Sequence, residues 1–157
     1  MSNNPVDSAK ILPRRAEELM PHSDRMRVID ELVTVSEDFA ETSVTIKQDS
    51  PFLRADGTLE ECVFIEMIAQ SIAARSGFDL NEDKLKNQKG YLLGIKKMKF
   101  EGFAKAGDSL RVKVSKSGQY GDFSIIEGQV FKGDQVLAYG EIKVVQIFDK
   151  NPGAGTQ

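Results

Sequence analysis

The sequence predicts an α+β domain in which an antiparallel β-sheet wraps around one long central helix. The first observation is a single long segment, 59–76, that contains neither proline nor glycine and has the composition of a helix. The second is that strand-like segments flank this helix on both sides along the chain, with turns that favour antiparallel pairing. The third is that apolar residues point in every direction beyond Glu61, so other structure must enclose the helix.

Six segments rich in β-branched and aromatic residues predict the strands of this sheet. Two of them precede the helix, and the turn at 36–38 between them predicts a hairpin. Four follow the helix, so the predicted order is β-β-α-β-β-β-β. Residues 14–20 are compatible with one or two helical turns that end at Pro21, which has no amide hydrogen to donate. The six strand segments are 26–35, 40–46, 91–100, 109–116, 122–132 and 135–148.

The central helix carries signals at both ends. Thr58 is a suitable N-cap, and Glu60 and Glu61 would interact favourably with the positive end of the helix dipole. Gly77 is a natural C-terminal cap. The sequence therefore predicts a helix that begins after Thr58 and ends at Gly77.

Length and composition fit one globular domain. The chain has 157 residues, of which 40% are hydrophobic and 29% charged, which supports a single core and leaves little room for a second domain. We expect this domain to span 11–148. The segments 1–10 and 149–157 are expected to be flexible tails, because they are polar or rich in glycine and offer little surface for a core to bury.

Charge and composition also exclude several functional classes. The net charge is −3 with acids and bases interleaved, so no basic field is available to bind nucleic acid. The apolar-rich stretch 62–74 is shorter than the roughly 20 residues that a membrane span needs. One cysteine and one histidine are too few for a zinc site, and neither a metal nor another cofactor is expected. The lone cysteine and the absence of a signal-peptide pattern predict a cytoplasmic location.

Glu66 is the most informative residue, because it lies in the middle of the helix among apolar neighbours. An unpaired charge buried there would be costly, so we expect its carboxyl group to be paired, hydrogen-bonded or protonated. Gln70 lies one turn further along the same face and can hydrogen-bond Glu66 or a ligand. A buried acid beside a polar partner suits proton transfer. A dimer contact or a lysine pair is the structural alternative.

Two further residues are candidates for chemistry. His22 is the only histidine, so any imidazole chemistry within one chain depends on it, although a histidine outside regular structure is also typical of a surface turn. Cys62 lies at the start of the helix, where a thiol can become reactive, but its apolar surroundings favour a packing role. Imidazole catalysis is therefore a hypothesis that involves His22 alone.

Several cations cluster in the sequence. Lys97 and Lys99 alternate with apolar residues in a predicted strand, a pattern typical of a solvated face. Together with Lys96, Arg25 and Arg27 they are also a candidate cationic rim for an acidic protein or a phosphate.

Three blocks of sequence form a pattern that is more specific than any single residue. The first is Leu19-Met20-Pro21-His22 with the strand 26–30, the second is Ile65-Glu66-Met67-Ile68-Ala69-Gln70, and the third is 93–100 with Ala106-Gly107-Asp108-Ser109-Leu110. In order and spacing these blocks resemble the hotdog-fold 3-hydroxyacyl-acyl-carrier-protein dehydratases of fatty-acid and polyene synthesis. The likeness is greatest to divergent dehydratase-like proteins associated with aryl-polyene clusters, in which the Leu-Pro-His and Glu-x-x-Ala-Gln motifs persist.

One motif of that family is missing. Typical members have a Gly-His-Phe-Pro-Gly box before the helix, and its histidine works with the helix glutamate across a dimer. Here residues 49–57 read Asp-Ser-Pro-Phe-Leu-Arg-Ala-Asp-Gly and contain no histidine. The resemblance therefore implies the hotdog fold directly, and the activity only with a different arrangement of acid and base.

The resemblance implies elimination of water from a 3-hydroxyacyl thioester of acyl carrier protein or coenzyme A, to give a trans-2-enoyl thioester. Glu66 would act on the hydroxyl group and His22 is the hypothesised base. Amides near Cys62 and Val63 would polarise the thioester carbonyl, and Gln70 would contact the substrate. The resemblance also implies a homodimer or a hotdog heterodimer.

Two alternatives remain open. In an acyl thioesterase, Glu66 would activate water or attack the thioester carbonyl with no need for a histidine. In the other, the chain is a catalytically silent subunit that completes the site of an active dehydratase.

Overall fold

The computed structural model describes residues 11–20, 25–80, 84–85 and 88–148. These contain one long helix, a 3-10 helix at Ala16–Glu18 and seven strands. None of the helices in these ranges has the length and apolar character needed to traverse a lipid bilayer. In chain order the elements are β1 (Arg14–Arg15), β2 (Glu31–Val35), β3 (Phe39–Thr45), α1 (Cys62–Phe78), β4 (Gln88–Phe100), β5 (Ser109–Tyr120), β6 (Phe123–Lys132) and β7 (Gln135–Phe148).

The strands form a single antiparallel sheet in the order β1-β2-β3-β5-β6-β7-β4. Because α1 lies between β3 and β4 in the chain, the polypeptide leaves β3, forms the helix and returns as β4 at the far edge of the sheet. The helix therefore crosses the sheet face, contacting β2, β3, β5, β6 and β7. The predicted α+β architecture and the predicted order of the main elements are confirmed, and β1 is an addition. The predicted tails at 1–10 and 149–157 lie outside the described residues.

The helix begins later than predicted. Thr58 is not its N-cap, because the chain is still extended at this point: Leu59 donates its amide hydrogen to the Ala104 carbonyl at 2.8 Å, and Thr58 forms a β-bridge with Lys105. The first helical residue is Cys62. This pairing joins positions far apart in the sequence, so the local cap signal could not reveal it.

Gly77 is not the C-terminal cap either, since it lies inside the last turn of α1, which ends at Phe78. A Cβ atom at this position would collide with the backbone of Leu19. Glycine is therefore required here for close packing of the Leu19 backbone on the helix. The segment that contains Leu19 was predicted to be helical, but it forms β1 and one 3-10 turn.

The sheet covers α1 on one side only. Phe64, Met67 and Ile68 face the sheet and are at most 1% exposed, whereas Ile65 and Ala69 on the opposite side are only partly buried. Complete enclosure of the helix, which the sequence predicts, is therefore not achieved by the described residues of a single chain. An apolar flank of the helix remains open.

The helix packs most closely on β6 at Gly128. A Cβ atom at Gly128 would lie 2.5 Å from the side chain of Ile68, and Ile68 is fully buried, so it has no space into which it could move. The missing side chain of Gly128 is thus what allows the helix to lie against the sheet.

The turn at Gly107 and Asp108, just before β5, forms bonds to three other positions in the chain. Gly107, at φ +92°, donates its amide hydrogen to the Ile46 carbonyl at 2.8 Å. The Asp108 carboxylate accepts a hydrogen bond from the Lys105 amide at 2.9 Å. It also forms an ion pair with the Lys132 ammonium at 3.1 Å. Burial acts to raise the pKa of Asp108, but the Lys105 amide and the Lys132 ammonium outweigh it and hold the pKa below its usual 3.8.

We expect Gly128→Ala to destabilise the fold by about 1–3 kcal/mol, because the new methyl group overpacks the contact with Ile68. Chemical denaturation followed by circular dichroism measures this change. Gly94→Ala is the matched control, since a Cβ atom there meets nothing within 4 Å. Equal stability of the two variants would contradict the close helix-sheet contact.

We expect Asp108→Asn to cost about 1–2 kcal/mol at neutral pH, because it removes a charged acceptor from two hydrogen-bonding partners. The pKa of Asp108 is lowered in the folded state, so its stabilising contribution is complete above the ordinary carboxyl value and is lost as the pH falls through the folded-state pKa. The difference in unfolding free energy between wild type and variant should therefore shrink in acid. A constant difference from neutral pH to about pH 3 would rule this account out.

Candidate functional site

The side chain of Gln70 connects α1 to the chain segment that precedes β2. Its Nε2 donates hydrogen bonds to the Met26 carbonyl at 2.7 Å and to Glu66 Oε1 at 3.0 Å. Its Oε1 accepts one from the Val28 amide at 2.8 Å. Gln70 is 1% exposed, and the Val28 donor fixes which end of its amide group is the oxygen. A buried, oriented amide group therefore holds one oxygen of Glu66.

Glu66 itself is half-buried, and so less enclosed than the buried carboxyl group that the sequence predicts. It belongs to the open flank of the helix, where Ile65 and Ala69 are also only partly covered. The predicted contact with Gln70 is present, but no lysine or arginine in the described part of the chain pairs with Glu66. Its Oε2 atom accepts no hydrogen bond from a described residue, which leaves that oxygen available to a ligand.

A cleft of about 460 Å³ opens beside the first half of α1. Its inner wall is apolar and its mouth is polar, the arrangement that suits an acyl chain with a charged carrier. Glu66 does not line this cleft, whereas Arg27 and Val28, from the segment to which Gln70 is bonded, do. The wall residues are Val28, Val44, Ile46, Pro51, Phe52, Leu59, Val63 and Met67, and those of the mouth are Arg25, Arg27, Asp30, Thr45, Lys47, Asp49 and Ser50.

The loop that stands in place of the histidine box contributes to this cleft. Phe52 lies on the apolar wall, and Leu53 forms a β-bridge with Leu59. The loop is closed by Asp56, which accepts hydrogen bonds from the Thr58 hydroxyl at 2.6 Å and the Thr58 amide at 3.0 Å. These two bonds lower the pKa of Asp56. The loop therefore presents an aromatic wall and a tight turn where the resembling family has an imidazole.

The two residues predicted at the helix start have different roles. Cys62 is exposed, and its amide donates to no described residue. The Val63 amide already donates to the Glu60 carbonyl at 3.1 Å, so in this conformation it is not available to a thioester carbonyl. The Val63 side chain, in contrast, lines the cleft. An oxyanion contact at this end of the helix would therefore depend on the Cys62 amide.

His22, the predicted base, lies outside the described residues. The next described residue after Met20 is Arg25. It directly precedes the segment 26–28, to which Gln70 is hydrogen-bonded. Among the residues that the structure describes, no three His, Cys, Asp or Glu side chains are placed to hold a metal ion.

The predicted cationic rim is divided between two distant places. Arg25 and Arg27 lie at the mouth of the cleft, where Lys47 joins them. Lys97 and Lys99 lie on β4, which four strands separate from β2 in the sheet. The sequence did not single out Lys47 or Asp49 of the mouth, and their position in a polar loop just before the helix was the only signal available.

The fold and this site can be compared with known proteins. A family model described as ApeP-like, ApeP dehydratase, matches residues 14–152. A chain of the dehydratase heterocomplex ApeI:P from Xenorhabdus doucetiae superposes with a TM-score of 0.78 at 29% identity, covering 89% of this chain and 93% of that one. Among curated proteins, none matches the chain.

More distant structures share the fold alone. A thioesterase from Haemophilus influenzae has a TM-score of 0.58 at 11% identity, covering 78% of this chain and 81% of its own. A probable thioesterase from Bartonella henselae has a TM-score of 0.55 at 15% identity, covering 73% and 95%. The match of the family model over nearly the whole chain decides the assignment: the chain belongs to the ApeP-like dehydratase family and has a hotdog fold.

Proposed function

We propose that the chain is a dehydratase-like subunit that removes water from 3-hydroxyacyl thioesters of acyl carrier protein and yields trans-2-enoyl thioesters. The observation that carries this proposal is the pair of Glu66 and Gln70. A buried amide holds one carboxyl oxygen at 3.0 Å, while the other oxygen is available on the open flank of the helix. A positioned carboxyl group of this kind is what elimination requires on the side of the leaving hydroxyl.

In the proposed reaction, a base removes the proton on the α-carbon, and the electrons of that C–H bond form the double bond between C2 and C3. The C3–O bond breaks, and protonated Glu66 donates its proton to the departing hydroxyl, which leaves as water. We propose His22 as the base, since it is the only histidine in the sequence and imidazole takes up a proton near neutral pH. His22 then releases the α-proton to solvent and Glu66 takes up a proton from solvent, so both groups return to their starting states.

Gln70 has a positioning role in this scheme. Its amide group cannot rotate freely, because the Met26 carbonyl and the Val28 amide occupy its other bonding directions. The bond to Glu66 therefore fixes the carboxyl group relative to the segment 26–28. This restraint lowers the entropy that the acid must lose before reaction.

We propose that the cleft beside α1, which Glu66 does not line, receives the part of the substrate away from the reacting carbons. Its apolar wall, with Phe52 and Met67, suits an acyl chain. Its mouth carries Arg25, Arg27 and Lys47, charges that suit the phosphate of a pantetheine arm or the surface of an acidic carrier protein. Coenzyme A thioesters share the pantetheine chemistry and are the alternative form of the substrate.

A second hotdog subunit, identical or different, is part of the proposal. Among the described residues, strand β4 has no neighbour on its outer side, and Tyr91, Leu92, Leu93 and Ile95 on it are 42–53% exposed. Edge-strand pairing would cover these residues. The relative from Xenorhabdus doucetiae is a heterocomplex, which supports a partner subunit for this chain as well.

An acyl thioesterase remains the second candidate function. The observation in its favour is that the loop at 49–57 has no histidine, and a glutamate can activate water for thioester hydrolysis without one. The two reactions release different products, so one assay can separate them.

We expect Glu66→Gln to lower kcat/KM for dehydration by about 10²–10⁴, the usual contribution of a general acid. His22→Ala should have an effect of the same order. The measurement is formation of the enoyl thioester from a 3-hydroxyacyl carrier protein, with free thiol followed in parallel by a thiol reagent. Thiol release that depends on Glu66, without enoyl product, would assign the thioesterase reaction instead. Activity that arises only when an active hotdog dehydratase is added would identify a silent subunit.

We expect Gln70→Met and Glu66→Gln to differ in their effect on stability. Gln70→Met leaves the buried Val28 amide and the part-buried Met26 carbonyl unpaired, at about 1–3 kcal/mol for an unsatisfied group that is fully buried. Glu66→Gln should change the unfolding free energy by less than about 1 kcal/mol, because its side chain is half-buried and loses only one bond. Denaturation curves of both variants test this. Equal destabilisation would mean that Glu66 is structural.

A further inference from the structure

Strand β4 forms an edge of the sheet with an unusual composition. Of the strands that the structure describes, only β7 pairs with it, so the backbone groups along its outer side are available for pairing. The strand reads Gln-Lys-Gly-Tyr-Leu-Leu-Gly-Ile-Lys-Lys-Met-Lys-Phe, with four lysines and no acidic residue. The exposed apolar residues occupy the middle of the strand, and Lys96, Lys97 and Lys99 follow them.

We propose that the lysines of β4 select the subunit that pairs with this edge, favouring a β-sheet edge that carries carboxylates over a second copy of this chain. The inference concerns which subunit binds and requires no catalytic activity. It rests on the proposed function only in assuming that β4 is the edge at which a second subunit pairs.

Two copies would pair about a twofold axis, so each residue of β4 would face a residue of the same strand in reverse order. If the axis passed at Lys97, the two copies of Lys97 would face each other. If it passed at Leu93, Lys97 would face Lys89 and Lys96 would face Gly90. Because β4 contains no acid, no register places a carboxylate of its own strand opposite a lysine.

Cross-strand charge pairs affect strand association directly. Opposite charges that face each other stabilise an antiparallel pair, and like charges destabilise it by a similar amount. Self-pairing of β4 would therefore bring together cations without compensation, whereas an acidic edge would turn each of them into an attractive pair. Complementary charge of this kind selects partners more strongly than it raises overall affinity.

The chain offers these lysines one acidic neighbour on β7, Glu141, which stands opposite Lys97 in the sheet. The Glu141 carboxylate of β7 lies 3.9 Å from the Lys96 ammonium, whose side chain is 57% exposed. An ion pair of that length and exposure is weak. Lys97 and Lys99 are exposed and form no ion pair with any described residue. Their charges are thus available to a partner strand.

The variant Lys97→Glu/Lys99→Glu tests the proposal, because it provides an acidic edge on the same fold. Isotopically labelled wild type and unlabelled variant are mixed in equal amounts, and dimers are counted by native mass spectrometry. We expect mixed dimers to outnumber wild-type self-dimers by roughly tenfold, against about twofold for random pairing. The excess should decline as salt is raised, since salt screens exposed charge pairs.

The control variant is Lys113→Glu/Lys116→Glu, which makes the same change in charge on β5. That strand is paired on both sides, with β3 and β6, so this variant should mix randomly with wild type. A neutral variant, Lys97→Gln/Lys99→Gln, should form self-dimers several-fold more tightly than wild type, because it removes repulsion without adding attraction. Circular dichroism shows whether each variant is folded.

Random mixing of the acidic variant would overturn the proposal, as would an equal preference shown by the control. Absence of any dimer, or a wild-type self-dimer whose affinity is unchanged by salt and by the neutral variant, would overturn it too. All of these measurements can be made on a Glu66→Gln background. Their outcome is therefore independent of whether the chain catalyses dehydration.

Discussion

The buried amide group of Gln70 is the constraint on which the candidate site depends. It satisfies one carbonyl and one amide of a chain segment that has no sheet partner at that point, and it holds Glu66 with its remaining donor. An unsatisfied polar group in such a place is expensive. The Gln70 side chain therefore both satisfies the backbone groups and positions Glu66. A substitution of Gln70 would disturb both at once.

Much of the fold follows from local sequence patterns. The strands and their order could be predicted because alternating and β-branched residues, separated by glycine turns, leave few other choices. The ends of the helix could not. Thr58 and Gly77 carry ordinary cap signals, but non-local contacts decide their roles: pairing of Thr58 with Lys105 and packing of Gly77 on Leu19. Tertiary contact outweighs cap preference at both positions.

The site was predictable to the extent that it lies on one helix. The spacing of Glu66 and Gln70 fixes their contact. The exposure of Glu66 depends on what covers the other side of the helix, and the described residues of one chain do not cover it. The cleft could not be predicted, because its walls come from segments far apart in the sequence. In the loop at 49–57, Phe52 lines that cleft in place of an imidazole, so any base must come from elsewhere.

The edge strand β4 pairs irregularly with its neighbour. Its pairing with β7 shifts register twice, between Leu92 and Gly94 and between Ile95 and Lys97. Such irregularities bend a strand and interrupt the even spacing of its outer hydrogen-bonding groups. A long, regular apolar edge would be a template for open-ended, fibre-like growth. These interruptions restrict complete pairing at this edge to a strand with a matching contour, and so oppose open-ended growth.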